Sequence, residues 1–383
     1  MISLAPKQLQ PIITESGLTE SAFIKPANSE FDAKSPATSV FDSSPCDDRY
    51  SRQILFPGIG AGGQARLTTS RIAIAGCGAT GSVLASLLGR AGVGTIRIID
   101  RDYVESSNLQ RQSLFDEADA AQSIPKAVAA ARKVGAFNSK IIVEPQVADL
   151  TPENIAELLN GIQLILDGTD NFETRYLIND FAIENSIPWI YTAAVGSYAA
   201  TMNVIPGRTA CLACIFPDPP RGAVESCETA GVLNSAVNLA SSIAATEAMK
   251  ILIGAENHIR RTLLSFDVWR NERAEVATDK ARPQCHTCGQ RDFVHRRGVG
   301  RPQITLCGRN SVQIHERERP VNFSEMEGRL TPHGSVRHNE MVLKFWPARS
   351  EYEMTLFPDG RAIIKGTTDS AVARSLYARF VGN

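Results

Sequence analysis

Two Cys-x-x-Cys pairs, Cys211/Cys214 and Cys285/Cys288, have the spacing that most directly names a chemistry. A two-residue gap lets both sulfurs of a pair reach one ion, and two pairs complete a tetrahedral shell. A closed shell of four thiolates leaves no position for water. The expected role is therefore a structural Zn²⁺ site tying the segment after Arg208 to the segment after Lys280. His286, inside the second pair, is a rival ligand, but four thiolates already fill the shell. Eight Cys among 383 residues are too sparse for a disulfide framework, and MISLAPKQLQPIITESGLTE lacks the apolar core of a secretory signal. Reduced thiols and a cytoplasmic location are the expectation.

A second candidate is Gly76-Cys77-Gly78-Ala79-Thr80-Gly81, which follows an apolar strand and opens a helix, with Asp100 closing the next strand. Glycines permit the tight turn and let backbone approach phosphate, the helix start offers unpaired N–H groups, and the acid can accept ribose hydroxyls. Cys77 reads as a small apolar filler rather than a reactive thiol. The loop alone does not separate NAD from ATP. Arg111 and Lys126, the latter opening a helix after Ile124-Pro125, add cations that a dinucleotide's diphosphate does not need and a triphosphate does. Taken singly, each would read as a solvated surface charge. Asp170-Asn171, before Phe172, reads locally as a helix cap of the Asx type or as an oxygen donor.

These residues need a scaffold, and the composition supplies one. With 43% hydrophobic and 21% charged residues, 28 Gly and 20 Pro, the chain reads as a soluble globular protein of two or three domains. A net charge of −1 gives no global field to recruit nucleic acid or an anionic membrane, so any anion must be held locally. The apolar stretch Gly231 to Ala255 is broken by Asn234, Ser235, Asn238, Glu247 and Lys250, which argues against a bilayer span. Residues 1–46 lack a sustained period and read as a disordered tail. Strands at 71–76, 95–100, 140–147 and 163–167 alternate with helices at 79–91, 126–137 and 172–185, and a further strand runs through Pro188 to Thr192. That alternation predicts an α/β fold with a Rossmann-like, doubly wound, mostly parallel sheet over residues 47–298. Residues 299–383 read as strand, helix, two or three antiparallel strands and helix, a small α+β domain with a Pro-Asp-Gly turn.

RYSRQILFPGIG (49–60), the GCGATG loop, IDRDYVESSNLQRQ, IPK, DGTDN (167–171) and the cysteine pairs occur in the order found in the MoeB/ThiF/HesA adenylyltransferases, bacterial relatives of ubiquitin-activating enzymes. The chain resembles that family over about residues 47 to 290. The resemblance implies ATP-dependent adenylation of the C-terminal Gly-Gly carboxylate of a ubiquitin-like sulfur carrier, serving molybdopterin, thiamine or related sulfur transfer. It further implies that Gly78 and Ala79 lie against the nucleotide, Asp100 holds the ribose, and Ser107 and Asn108 help hold the phosphates. Arg111 and Lys126 match phosphate-binding cations, and Asp170, with Asn171 beside it, matches the aspartate that places Mg²⁺. Arg52 matches an arginine that reaches across a homodimer into the neighbouring ATP site.

Cys227 matches a cysteine that joins covalently to the carrier in some relatives and is dispensable in others. Glu225 and Glu228 beside it would raise a thiol pKa, which argues against a permanently activated nucleophile. Some relatives end in a rhodanese domain; here the tail offers Cys307 without an anion-cradling loop, and an accessory module for carrier docking or dimerisation is expected instead. Competing readings are an NAD-dependent oxidoreductase and a non-catalytic nucleotide-binding zinc scaffold. A branch of the family modifies tRNA or small peptides; the cysteine pairs and ETAGV favour the carrier branch.

Overall fold

Two helices, α1 (Ser51–Ile54) and α2 (Gly60–Thr69), lead into strand β1 (Arg71–Ala75), whose residues 72–75 are all buried. The computed structural model describes residues 48–217, 230–298, 304–307, 311–314 and 320–382. After β1 come α3 (Ala79–Ala91), β2 (Thr95–Ile99), α4 (Glu117–Ala121), α5 (Lys126–Phe137), β3 (Ile142–Gln146), α6 (Ile155–Leu158), β4 (Leu164–Asp167), α7 (Phe172–Glu184) and β5 (Trp189–Val195). The five strands pair in the order β3-β2-β1-β4-β5, all parallel. Continuous apolar runs such as Ile72 to Ala75 suit strands covered by helices on both sides. One core cluster joins Ile72 and Ile74 to Leu84, Leu88 and Ala130; another joins Ala73 and Ala75 to Tyr176, Ile178 and Phe181.

These five strands are the doubly wound half; the sheet then continues in a way the alternation did not announce. Strands β6 (Tyr198–Val204), β7 (Thr262–Asp267) and β8 (Glu272–Ala277) extend it antiparallel beyond β5, so the complete eight-stranded sheet is mixed. Gly196, at φ +59°, and Ser197 form the two-residue turn that folds β6 back on β5, a connection too short for a parallel crossover. Between β6 and β7 lie α8 (Leu212–Ile215) and α9 (Asn234–Ile253). Helix α9 has the length and a mean hydropathy of 1.3 that a bilayer span also shows, with half of that window buried inside the protein. It packs on α3, β5 and β6, and its buried Glu247 accepts from Asn203 at 2.6 Å, so it serves as a core helix.

A second sheet follows, with β9 (Ile304–Cys307), β10 (Ser311–Ile314), β11 (Gly334–His338), β12 (Leu343–Pro347), β13 (Glu353–Leu356) and β14 (Ala362–Lys365). Its strands are antiparallel in the order β11-β12-β13-β14-β10-β9, a larger sheet than the tail's sequence announces. Helices α10 (Phe323–Leu330) and α11 (Ser370–Phe380) cover one face, burying Met326, Leu330, Ala373 and Tyr377 against Val312, Phe345, Met354, Ala362 and Ile364. Asn322 and Asp369 cap these two helices by accepting from the first-turn amides. Residues 47–383 form one compact unit holding both sheets, and residues 1–46 lie outside the described residues.

Candidate nucleotide site and sulfur cluster

The strand order places a switch point between β1 and β4, where an open α/β sheet leaves a crevice at its carboxyl ends. The glycine loop follows β1 into this crevice, and Gly168 to Asp170 follow β4 into it. The two loops interlock through hydrogen atoms where other residues carry side chains. A Cβ on Gly81 would lie 1.9 Å from the Gly76 carbonyl oxygen, and one on Gly168 would lie 2.3 Å from the same oxygen. Gly76 itself has a φ of +83°, in the region that favours glycine. Gly78 precedes the first turn of α3, whose N–H groups have no partner within the helix.

Asp100 closes β2 and is nearly buried, and its carboxylate accepts from the Cys77 amide at 2.6 Å and the Asp102 amide at 2.7 Å. Burial pushes its carboxyl up, while Lys126 opposes that shift. Lys126 is buried at the start of α5 and donates to Asp102 at 3.1 Å. Burial works against its charge, but Asp102, Asp100 and, more weakly, Asp170 hold the ammonium above the ordinary lysine range. Its charge is therefore retained without solvent. Burial, and then the Asp100 charge, push the Cys77 thiol up, which keeps it protonated in agreement with a filler role.

Ser106–Asn108 form one turn of 3-10 helix after the β2 end. Ser107 is exposed, whereas Asn108 is fully buried, its Oδ1 accepting from the Glu105 amide at 3.1 Å. The Nδ2 of Asn108 has no hydrogen-bond partner among the described residues. A buried unpaired donor is costly, and a phosphate oxygen is the type of acceptor that would satisfy it. Arg111, partly exposed, donates to the Ser107 carbonyl at 2.9 Å. Gln112 follows, buried, with Oε1 unpartnered and Nε2 within 3.9 Å of where a Gly78 Cβ would stand. Burial of one polar residue in a polar run leaves no local signal, so the sequence does not mark Gln112.

Asp170 is exposed at the rim, and Asn171 spends its side-chain oxygen on capping α7, accepting from the Thr174 amide at 2.8 Å. The cap and the acid thus divide between the two residues. An exposed carboxylate is a hard oxygen donor of the kind Mg²⁺ takes. Below it lies a pair that the sequence did not disclose. Asp167, fully buried, accepts from the Thr169 amide and hydroxyl at 2.9 and 2.7 Å and from Arg175 Nε at 2.9 Å. Arg175 also donates to the Thr169 carbonyl at 2.6 Å and lies over the rings of Phe172 and Tyr191. The loop that presents Asp170 is clamped from both sides.

The four sulfurs come together as their spacing predicts. Sγ distances are 3.9 Å for Cys211–Cys214, 3.5 Å for Cys211–Cys285 and 3.3 Å for Cys214–Cys288, and all four lie within 4.8 Å of one another. A tetrahedral Zn–S shell needs edges of about 3.8 Å, so the cluster fits the ion. His286 is not among the grouped ligand atoms; its ring lies 6.5 Å from that of His295. Helix α7 grips both cysteine-bearing segments: Asn179 accepts from the Leu212 amide and Asp180 from the Thr287 hydroxyl, both at 2.9 Å. Elemental analysis of the purified chain is expected to give about one tightly held zinc per chain, with a lowered unfolding midpoint after chelation. A stable protein carrying well under half an equivalent would contradict the assignment.

Among the described residues, one sequence candidate, Arg52, is not brought to the crevice. Cys227 lies outside the described residues. Arg52 is exposed on α1, and the neighbouring Gln53 bonds to the carbonyl of Ala91 at 2.9 Å, the far end of α3 from the glycine loop. Thirteen helical residues at 1.5 Å each separate those ends by roughly 20 Å. Leu55 and Phe56, beside Arg52, are 70% and 62% exposed.

The family model described as the ThiF family matches residues 50–287. The chain is 43% identical over 339 residues to the sulfur carrier protein ThiS adenylyltransferase of Bacillus subtilis, spanning 87% of this chain and 99% of that protein. It is 35% identical over 258 residues to the sulfur carrier protein adenylyltransferase of Thermus thermophilus, spanning 64% of this chain and 94% of that one. Among solved structures, E. coli MccB with ATP shares the fold at a TM-score of 0.56 and 22% identity, over 64% of this chain and 75% of that one.

Proposed function

The chain belongs to the ThiF family, and on that premise we propose that it adenylates the C-terminal Gly-Gly carboxylate of a ubiquitin-like sulfur carrier with ATP, releasing pyrophosphate. The carrier carboxylate attacks the α-phosphorus, the bond to the bridging oxygen of the β-phosphate breaks, and the electron pair leaves with pyrophosphate. Both reactants are anions, so the site has mainly to neutralise and align charge. The observation that carries the reading is the crevice at β1 and β4, where Asp100 holds the glycine loop through the Cys77 amide, the charge of the buried Lys126 ammonium acts on that acid, and Asn108, with its Nδ2 unpartnered, lies on the segment that follows.

In this reading Gly76, Gly78, Ala79 and Gly81 form the backbone cradle, and Asp100, fixed by the Cys77 and Asp102 amides, takes the ribose hydroxyls. Ser107, Asn108, Arg111 and Lys126 hold the phosphates. Asp170 would hold Mg²⁺, which when bound spreads the negative charge of the phosphate oxygens. The sulfur cluster would hold a structural Zn²⁺ and play no part in the transfer. Residues 47–298 form the activating domain and residues 299–383 the accessory one. Thiolates of the cluster type persist in a reducing compartment, which supports a cytoplasmic location.

The test is incubation with Mg-ATP and each candidate Gly-Gly carrier, followed by mass spectrometry for an AMP adduct and by carrier-dependent pyrophosphate exchange. Absence of exchange with every carrier would sink the reading. For Cys227, an alanine variant that adenylates but no longer supports sulfur transfer would establish the covalent role.

The distance of Arg52 from its own crevice supports a homodimer in which one protomer supplies this arginine to its partner. Mixing Arg52→Ala subunits with Asp170→Asn subunits is expected to recover about a quarter to a half of wild-type activity from two inactive parents, since one site per mixed dimer is complete. No recovery in verified mixed dimers would place Arg52 outside the partner's site.

A further inference from the structure

The second sheet meets the first through the segment that runs from the ribose acid to the phosphate turn. Three residues of the β14 region engage that segment in steps of two. Arg361 donates to the Arg101 carbonyl at 3.4 Å, Ile363 packs on Tyr103, and Lys365 pairs with the Glu105 carboxylate. A strand presents alternate residues to one face, and Ala362 and Ile364 accordingly point the other way, into the core under α10 and α11. Tyr103 is buried against this face. Its hydroxyl lies 3.3 Å from that of Thr355, which is cross-strand from Ile363, and Lys344 sits 4.3 Å from its ring centroid. Asn339 adds a bond to the Gln122 carbonyl at 2.7 Å.

From this register we infer that the second sheet is a brace for the nucleotide site and that Lys365 is a positioning residue for ATP, acting through Glu105. The inference rests on the adenylyltransferase reading. Glu105 donates its amide to the Oδ1 of Asn108 and accepts the Asn108 amide at 2.8 Å, so its placement sets which way the Asn108 amide points. Lys365 fixes the other end of Glu105. At the opposite end of the segment, Arg361, fully buried over the Phe357 ring, holds Arg101, which pairs with Asp149 at 2.9 Å. Asp100 and Asn108 are thereby held at a set separation by a surface outside the Rossmann-like half.

The test uses the full chain and a non-hydrolysable ATP analogue measured by calorimetry. Lys365→Met is expected to weaken analogue binding about three- to tenfold and to raise the KM for ATP equally, with kcat and the KM for carrier within twofold of wild type. Lys365→Arg, which can still reach Glu105, should restore binding. Tyr103→Phe keeps the buried ring, loses only the hydroxyl bond to Thr355, and should show a smaller effect of the same kind. Unchanged analogue affinity in Lys365→Met would overturn the inference, as would a loss that Lys365→Arg does not repair. A raised carrier KM with unchanged ATP affinity would instead make the sheet a carrier platform. Failure of the wild-type chain to bind the analogue would count against the adenylyltransferase reading itself, a separate outcome.

Discussion

Replacement of Lys126 by methionine is expected to lower carrier-dependent pyrophosphate exchange about a hundred- to a thousandfold, the cost of removing one preorganised charge from a transition state. Three features set that size. The ammonium is buried, so its field on a phosphate is weakly screened. It is anchored at a helix start, with its amide on the Asp102 carbonyl at 2.8 Å and its Nζ on the Asp102 carboxylate. Asp102 is partly exposed, so in the proposed site Lys126 would be shared with an incoming phosphate while Asp102 turned to water. The variant should still fold, because the Asp100 carboxyl left behind can take up a proton and keeps both of its amide donors. A circular-dichroism melt alongside the exchange assay checks this; a loss under tenfold in a folded variant would remove Lys126 from the phosphate site.

Arg175→Met should act first on stability and through it on activity. Removing the guanidinium leaves the Asp167 carboxylate buried without its ion pair, a change that costs about 3–5 kcal/mol. It also frees the Thr169 carbonyl, so the loop before Asp170 loses the clamp on its outer side. Urea denaturation is expected to show the full loss, and adenylation should fall even where the protein remains folded. Pairing it with Asp167→Asn discriminates the cause. The double variant should recover part of the stability, since no unpaired charge remains, but not the activity. Equal stability of Arg175→Met and the double variant would show that the buried carboxylate is not what the arginine offsets.

The contrast between Lys126 and Arg175 shows what was legible in the sequence. Lys126 was visible because a lysine after Ile124-Pro125, at the start of an Ala-rich helix, is read from its neighbours. The glycine loop, α3 and β2 were visible for the same reason: period, capping and turn chemistry are local. The cysteine cluster spans a long stretch, yet its two-residue spacing repeats and so announces itself. Arg175 and Asp167 form their pair across a strand end, a loop and a helix turn, and no spacing rule connects them. Strands β6 to β8 were missed because their alternation is weak: β6 is rich in Ala and Thr, and β8 is exposed along its whole length. The docking of β14 on residues 101–105 was hidden for the plainest reason. It joins two segments on opposite sides of the chain, and each alone reads as an ordinary strand or loop.

The interlock of Gly76, Gly81 and Gly168 bears on the order in which the protein assembles. The glycine loop resembles a local motif, yet its tight turn is closed by backbone that arrives with β4, after the whole of α3 to α6 has been synthesised. Closing that contact confines a long stretch of chain, an entropic cost recovered only when β1 and β4 pair. The crevice between β1 and β4 therefore matures with the centre of the sheet rather than before it. An incomplete chain leaving the ribosome, ending before Gly168, has every glycine of the motif and no finished cradle.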